Sequence, residues 1–259
     1  MNKPDRNLFR GYWNLDEASG SAIDSTAFGH NLIEFSGTIP PSDGGRIIVA
    51  NETEYFYMLS NSNLVITGDA TFGIWGKLSQ QGGNQCFFGK YDTDSKREWA
   101  LVYFFATDRY QFYASDDGGT AQVAIANNYG DVPSTTWAFL LGWGVTNAST
   151  ISISINAGTP DTVAHNGGFF NGSEPLRLGA MKIAGTVDWY LDSTVKSAFI
   201  YDGLMTADER TWMYNAGVSR KWNEIGLSGI KTINDVPMNN ISMINGKSIQ
   251  YINSINNAS

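Results

Sequence analysis

Eleven short segments rich in aromatic and β-branched residues run from "LFRGYWNL" to "KSAFIYD", separated by turn clusters such as "SDGG", "QQGGN", "SDDGG" and "NAGTPD". No other feature limits the fold as strongly. Aromatic and β-branched side chains suit a pleated, half-buried surface, while Gly, Asn and Asp supply the turns between such runs. "TISISIN" alternates, with Ile151, Ile153 and Ile155 on one face and Ser152 and Ser154 on the other. "EWALVYFFA" is apolar on both faces, as expected of a central strand. The number and spacing of these runs predict an all-β chain, a two-sheet antiparallel jelly-roll sandwich.

One segment has a different period. In "LMTADERTWMYNAG", Thr206 precedes Glu209 by three residues, the spacing of a capping box. Asp208 and Glu209 fall in the first turn, where the helix dipole favours them, and Gly217 is placed to stop the helix. A single short helix is expected near residues 207–215.

Composition excludes several function classes. Charged residues are only 16% of the chain, the net charge is −8 and no basic run occurs, so binding to a phosphate backbone has no electrostatic source. The longest apolar run, "WAFLLGWGV", is about half of a membrane span. Cys86 is the single cysteine, which rules out an intramolecular disulfide and fits a small core residue. "MNKPDRNLFR" lacks the apolar stretch of a secretory signal, so synthesis in a cytoplasm is expected.

Two stretches carry a family resemblance. "GYWNLDEASGSAIDSTAFGHNL" resembles the opening of laminin-G-like, concanavalin A-type lectin domains: an aromatic strand, an acidic turn, then Asp-Ser followed by Gly and Asn. "WYLDSTVKSAFIYDGLMTADERTWMYNAG" resembles their closing strand and short helix. The resemblance covers about residues 8–222 and implies a lectin-like sandwich. It also implies a Ca²⁺ between Asp24 and Asp192, although Ser193 stands where an acidic residue is usual. The competing reading makes Asp24 an Asx-turn and Asp192 a strand-end cap. Ca²⁺ is thus admitted but not required.

Glucanases of the same superfamily carry Glu-x-Asp-x-x-Glu on one strand, where paired carboxylates act across a glycosidic bond. That motif does not occur here, and Asp188 and Asp192 are the nearest pair. His30 and His165 lie outside any ligand-like or triad-like spacing. No enzymatic activity is expected. Sugar binding instead needs outward aromatic rings beside amides. A hairpin turning at Thr107-Asp108 would set Phe105 opposite Tyr110, bury Trp99, Leu101, Tyr103, Phe105, Tyr110 and Phe112, and leave Phe104, Gln111 and Tyr113 as the outward platform.

The chain closes on an 11-residue repeat, "IKTINDVPMNN", "ISMINGKSIQY" and "INSINN". Ile230, Ile241 and Ile252 align in one column, and Ile233, Ile244 and Ile255 in another. Each unit reads as a short β run and a turn at Asn-Asp or Asn-Gly. So few units cannot bury their own apolar face, so a partner surface is expected to cover it. The repeat is similar to those in virion proteins of tailed bacteriophages. This divides the chain into a sandwich over 1–225 and a docking tail over 226–259. The expected function is a phage virion structural protein, a head decoration or tail-fibre component, trimeric and bound to other virion proteins. On the virion surface it would display a domain that binds host glycans. A bacterial adhesin or carbohydrate-binding module is the second reading, and a glycan hydrolase or lyase the third.

Overall fold

The computed structural model describes residues 2–225 and, in backbone only, the short strands Thr232–Ile233, Val236–Pro237, Met243–Ile244 and Lys247–Ser248. Two antiparallel sheets face each other. The eight-stranded sheet runs in the order Asp161–Ala164, Thr150–Ile155, Ala138–Val145, Ala70–Leu78, Ser193–Tyr201, Gly45–Ile48 and Pro41–Ser42, with Phe9–Trp13 also paired to Ser193–Tyr201. The nine-stranded sheet runs Gln122–Ile125, Arg109–Ala114, Lys96–Phe104, Gln85–Asp92, Leu176–Leu178, Tyr55–Met58 and Ile33–Phe35, and carries the hairpin strands Met181–Ile183 and Thr186–Asp188.

The main core lies between the sheets. Ile151, Ile153 and Ile155 point into it together with Phe72, Ile74, Phe88, Leu101 and Phe112. Each such side chain contributes roughly 1.5–3 kcal/mol by leaving water. Gly76 faces this layer because a Cβ there would come within 2.2 Å of the Phe87 ring. Ser152 and Ser154 on the opposite face are also buried, and their hydroxyls are matched at 2.7 Å to Thr162 Oγ1 and at 2.9 Å to the Gly158 carbonyl.

A second apolar layer seals the far side of the eight-stranded sheet. The helix Ala207–Tyr214 brings Trp212 and Met213, and the following segment brings Trp222 and Ile225, onto Phe9, Tyr12, Trp75, Phe139 and Phe199. Thr206 caps the helix, with its hydroxyl accepting from Glu209 N–H at 3.3 Å and the Glu209 carboxylate accepting from Thr206 N–H at 2.7 Å. The helix stops at Asn215 rather than at Gly217: Asn215 takes the left-handed conformation at φ 48°, which an Asn tolerates well. The strap after it is pinned by Ser197 Oγ donating to the Arg220 carbonyl at 3.0 Å and by Trp222 N–H donating to Asn14 Oδ1 at 3.1 Å.

The hairpin of strands Lys96–Phe104 and Arg109–Ala114 differs in register from expectation by two residues. Tyr103 pairs with Tyr110 and Leu101 with Phe112. A 3₁₀ turn at Phe105–Thr107 followed by left-handed Asp108 makes the connection. Trp99, Leu101, Tyr103, Tyr110 and Phe112 are buried as expected, because a shift of two preserves the faces. Phe105 falls in the turn and is 54% exposed.

Beyond residue 225, Thr232–Ile233 pairs with Val236–Pro237 and Met243–Ile244 pairs with Lys247–Ser248. Ile230, Ile241, Ile252 and Ile255 lie outside the described residues, as do the side chains of Ile233 and Ile244.

Candidate functional site

Cross-strand registers place Ile33, Tyr57, Arg177, Gly89, Ala100, Tyr113 and Val123 in one row across seven strands of the nine-stranded sheet. Their chain neighbours Phe56, Leu176, Leu178, Phe88, Leu101 and Phe112 point into the core, so the row marks the outer face. This face has a roofed half and an open half.

The hairpin of residues 181–188 roofs one half. Met181 and Ile183 pack over Cys86, Tyr91, Ala100 and Val102, and Trp189 closes the group. Burial pushes the Cys86 thiol up to about 12, which leaves it inert. Trp189 holds a left-handed backbone at φ 48°, uncommon for so bulky a residue. Two bonds hold it there: Cys86 N–H donates to the Trp189 carbonyl at 2.8 Å, and Trp189 N–H donates to Asp188 Oδ1 at 2.7 Å. The indole then stands 5.9 Å from the Phe104 ring and 6.3 Å from the Tyr113 ring.

The expected platform is therefore rearranged. Phe104 and Tyr113 do lie on the outer face, but half-buried as supports for Trp189. Gln111 is corrected from an outward group to a buried one, 4% exposed, its Nε2 donating to Thr107 Oγ1 at 3.1 Å. The longer turn at Phe105–Thr107 folds back over it.

The open half lies at the sheet edge. Phe35 is 44% exposed and stacks on Tyr55 with ring centroids 4.6 Å apart, while Tyr57 meets Phe35 edge-on at 6.2 Å. Tyr190 extends the group, 6.3 Å from Tyr55, and Ile33, paired with Tyr57, is 52% exposed. Burial raises the Tyr55 and Tyr190 phenols further above their ordinary range. These rings offer an apolar surface bordered by hydroxyls. The alternation in "EYFYML" signals two outward tyrosines, but their pairing with Phe35 and Tyr190 is long-range and leaves no local signal.

Buried charged groups gather around Glu174 and at the Lys90–Glu98 pair. Glu174, buried, holds Arg177 at 3.2 Å, Lys182 at 3.4 Å and Lys96 at 3.7 Å. Beside it Lys90 Nζ sits 2.8 Å from Glu98 Oε2, with both side chains buried. Burial pushes the Glu98 carboxyl up to about 7, against the opposing pull of Lys90.

The structure does not bring Asp24 and Asp192 together, which corrects the shared-ion expectation. Asp24 bridges Trp13, Trp13 pairs with Ala198, and Asp192 lies six residues back along that chain, about 20 Å away at strand spacing. Asp24 forms the Asx-turn instead, each carboxylate oxygen accepting twice: Oδ1 from Tyr12 and Thr26 N–H, Oδ2 from Thr26 Oγ1 and His30 N–H. Asp192 accepts from Gln80 Nε2. Among the described residues no group of three His, Cys, Asp or Glu side chains is arranged to hold a metal.

No protein-family model and no curated relative matches the sequence. Solved structures do match. The receptor-binding domain of a botulinum neurotoxin C/D mosaic aligns with TM-score 0.64 and 8% identity, over 82% of this chain and 51% of that one. A botulinum neurotoxin type C structure, whose cell entry depends on interaction with two ganglioside molecules, aligns with TM-score 0.59 and 13% identity, over 82% and 51%. Domain 4 of an extracellular arabinanase from Geobacillus stearothermophilus, solved with arabinotriose, aligns with TM-score 0.60 and 16% identity, over 80% of this chain and 98% of that domain. The chain spans about half the length of the toxin structures it matches. At these identities the shared property is the fold, a two-sheet β-sandwich.

Proposed function

We propose that this chain is a non-catalytic, glycan-binding sandwich carried on a tailed-phage virion and attached through residues 226–259. The observation that carries the glycan reading is the open aromatic edge. Phe35, Tyr57 and Tyr190 present ring faces for the CH surface of a sugar and hydroxyls for its oxygens, with the buried Tyr55 stacked against Phe35 as their support. Phe104 and Tyr113 contribute by holding Trp189 at the border of that surface. The likeness to domains solved with arabinotriose or tied to gangliosides supports the same reading. The virion role rests on the isoleucine columns of the terminal repeat, which need a covering partner, with a trimer as the favoured arrangement.

A glycan array tests the first half. Retention of defined glycans by the wild type, reduced about tenfold in affinity by Phe35→Ala or Tyr57→Ala, is the expected result, since exposed aromatic anchors carry about 1–2 kcal/mol each. Unchanged retention in both variants would remove the edge as the site. Release of reducing sugar from any retained glycan would revive the hydrolase reading. A second reading, a carbohydrate-binding module of a different assembly, draws on the near-complete overlap with the arabinanase domain. Deleting 226–259 separates the two: loss of incorporation into particles supports the virion role, and a truncated protein that still assembles sinks it.

A further inference from the structure

A pocket lies at the seam where the two sheets meet, and the aromatic edge has no part in it. The strand Thr150–Ile155 turns back at Asn156 and Ala157, both left-handed at φ 56° and 54°, into Asp161–Ala164. Positive φ at both turn residues gives the tight return of a type I′ turn, closed by Gly158 N–H donating to the Ile155 carbonyl at 2.9 Å. Asn156 ties the turn to the next strand. Its Oδ1 accepts from Phe139 N–H at 2.8 Å, and its own N–H donates to the Phe139 carbonyl at 2.9 Å. The return brings residues 158–161 against the loop that follows Gln122–Ile125 of the other sheet. Between them is a pocket of about 300 Å³, open to solvent.

Its lining is divided by chemistry. Ala126, Ile153 and Ile155, all buried, make an apolar floor, and Tyr129, half-buried with its ring 5.9 Å from that of Tyr110, makes one wall. Asn128 and Asp161 form the rim. Asn128 donates its backbone N–H to Asp161 Oδ2 at 2.9 Å and its Nδ2 to Oδ1 at 3.1 Å, which links the two sheets across the pocket. A carboxylate oxygen accepts about two hydrogen bonds, so each oxygen of Asp161 keeps one acceptor position.

This lining narrows the ligand. Among the described residues no lysine or arginine lines the pocket, so an anion meets no countercharge. Asp161 is the single carboxylate there, and among the described residues no group of three His, Cys, Asp or Glu side chains is arranged to hold a cation. A wholly apolar guest would strip water from the carboxylate and give it no donor. A ligand that rests one apolar face on the isoleucines and the tyrosine, and aims hydroxyls at the carboxylate, meets every demand. The volume is at the low end of the roughly 300–1,000 Å³ usual for ligand sites, room for one ring rather than a chain.

We propose that the seam pocket binds a single sugar ring, with Asp161 accepting from two neighbouring hydroxyls, Asn128 holding that carboxylate in place and Tyr129 covering the CH face. Because Asn128 and Asp161 already engage each other, the acceptors are set before the ligand arrives. It is a second carbohydrate site. Gln122–Ile125 and Ile33–Phe35 stand at opposite ends of the nine-stranded sheet, six strand intervals or about 29 Å apart. The choice of a sugar extends the glycan reading above, whereas the pocket does not depend on the aromatic edge.

Amide chemical shifts of the full chain test it. L-Arabinose, D-glucose, D-galactose and N-acetyl-D-glucosamine are each added to about 50 mM, because one small ring is expected to bind with a Kd of about 1–10 mM. At least one of them should move the amides of residues 128–129 and 158–161. Asp161→Asn, which keeps the shape and removes the charged acceptor, should weaken that sugar about tenfold. Asn128→Ala, at an exposed position, should weaken it as well, and Phe35→Ala should leave it unchanged. If none of the sugars moves these amides, the pocket is overturned, as it is by movement that neither Asp161→Asn nor Asn128→Ala reduces. Shifts confined to Phe35 and Tyr57 uphold the edge and overturn the pocket. Pocket shifts beside an array that Phe35→Ala and Tyr57→Ala leave unchanged remove the edge and leave the pocket standing. Should Asp161→Asn fail to fold, Asn128→Ala and the wild-type titration decide.

Discussion

Both sheets carry aromatic residues on their outer faces, yet the two faces end differently. On the eight-stranded sheet, Tyr12, Trp75, Phe139 and Phe199 are buried beneath Trp212, Met213, Trp222 and Ile225. On the nine-stranded sheet the chain returns only as far as the 181–188 hairpin, and Phe35 and Ile33 stay exposed at the edge. Outward aromatic residues are therefore not in themselves a sign of a site. What distinguishes the open half is that the returning hairpin stops short of it and only Tyr190 reaches its edge among the later described residues.

The largest expected effect tests this contrast on stability. Trp222→Ala empties a buried position and should cost about 3–5 kcal/mol. Phe35→Ala should stay within about 1 kcal/mol, because its ring already faces water. Urea denaturation of both variants gives the comparison, and similar losses would mean that the edge is structural. Next in size is Thr206→Ala, which removes the cap of the covering helix and should cost about 1 kcal/mol. An unchanged denaturation midpoint would show that packing of Trp212 alone holds the helix.

A third expected effect comes from the buried carboxylate of Glu98. The Glu98 carboxyl is raised to about 7, while an unfolded Glu titrates near 4.3. Between those values the folded chain keeps a proton that the unfolded chain releases. Its contribution to stability is therefore full below about 4.3 and lost as pH rises through about 7. The melting temperature should be lower at about pH 8 than at about pH 6, and Glu98→Gln should flatten that difference. A rise toward alkaline pH would contradict the assignment. The smallest expected effect is none: excess chelator should leave the melt unchanged, because the oxygens of Asp24 are already bonded and Asp192 is remote. A drop in melting temperature would reopen the ion site.

Much of the sandwich was legible because it depends on local pattern. The alternation of Ile151, Ile153 and Ile155, and the Thr206–Glu209 spacing, both report interactions within a few residues. The core face of the Trp99–Phe112 hairpin was legible even though its register was off by two, since a shift of two leaves every side chain on its own face. The site was legible only in part. Tyr113 and Phe104 were located on the correct face, but Trp189 reaches them from about 80 residues further along the chain, a contact that has no local signal. The burial of Glu98 was hidden for a different reason. Lys90 pairs with Trp99 and Tyr91 with Arg97, which leaves Glu98 as an extra, bulged residue, and a bulge breaks the two-residue period on which face assignment depends.

The position of Ile225 has a directional consequence. It is buried in the sealed layer, so the chain leaves the sandwich from the side opposite the aromatic edge. A partner that gripped residues 226–259, as proposed above, would hold the molecule by its back, as a tile is held by mortar. The open half of the aromatic face would then be turned away from that partner, and copies fixed side by side would present their edges to the same target at once. Weak single contacts would add up through the array, so that a surface of such tiles could bind firmly where one alone would let go.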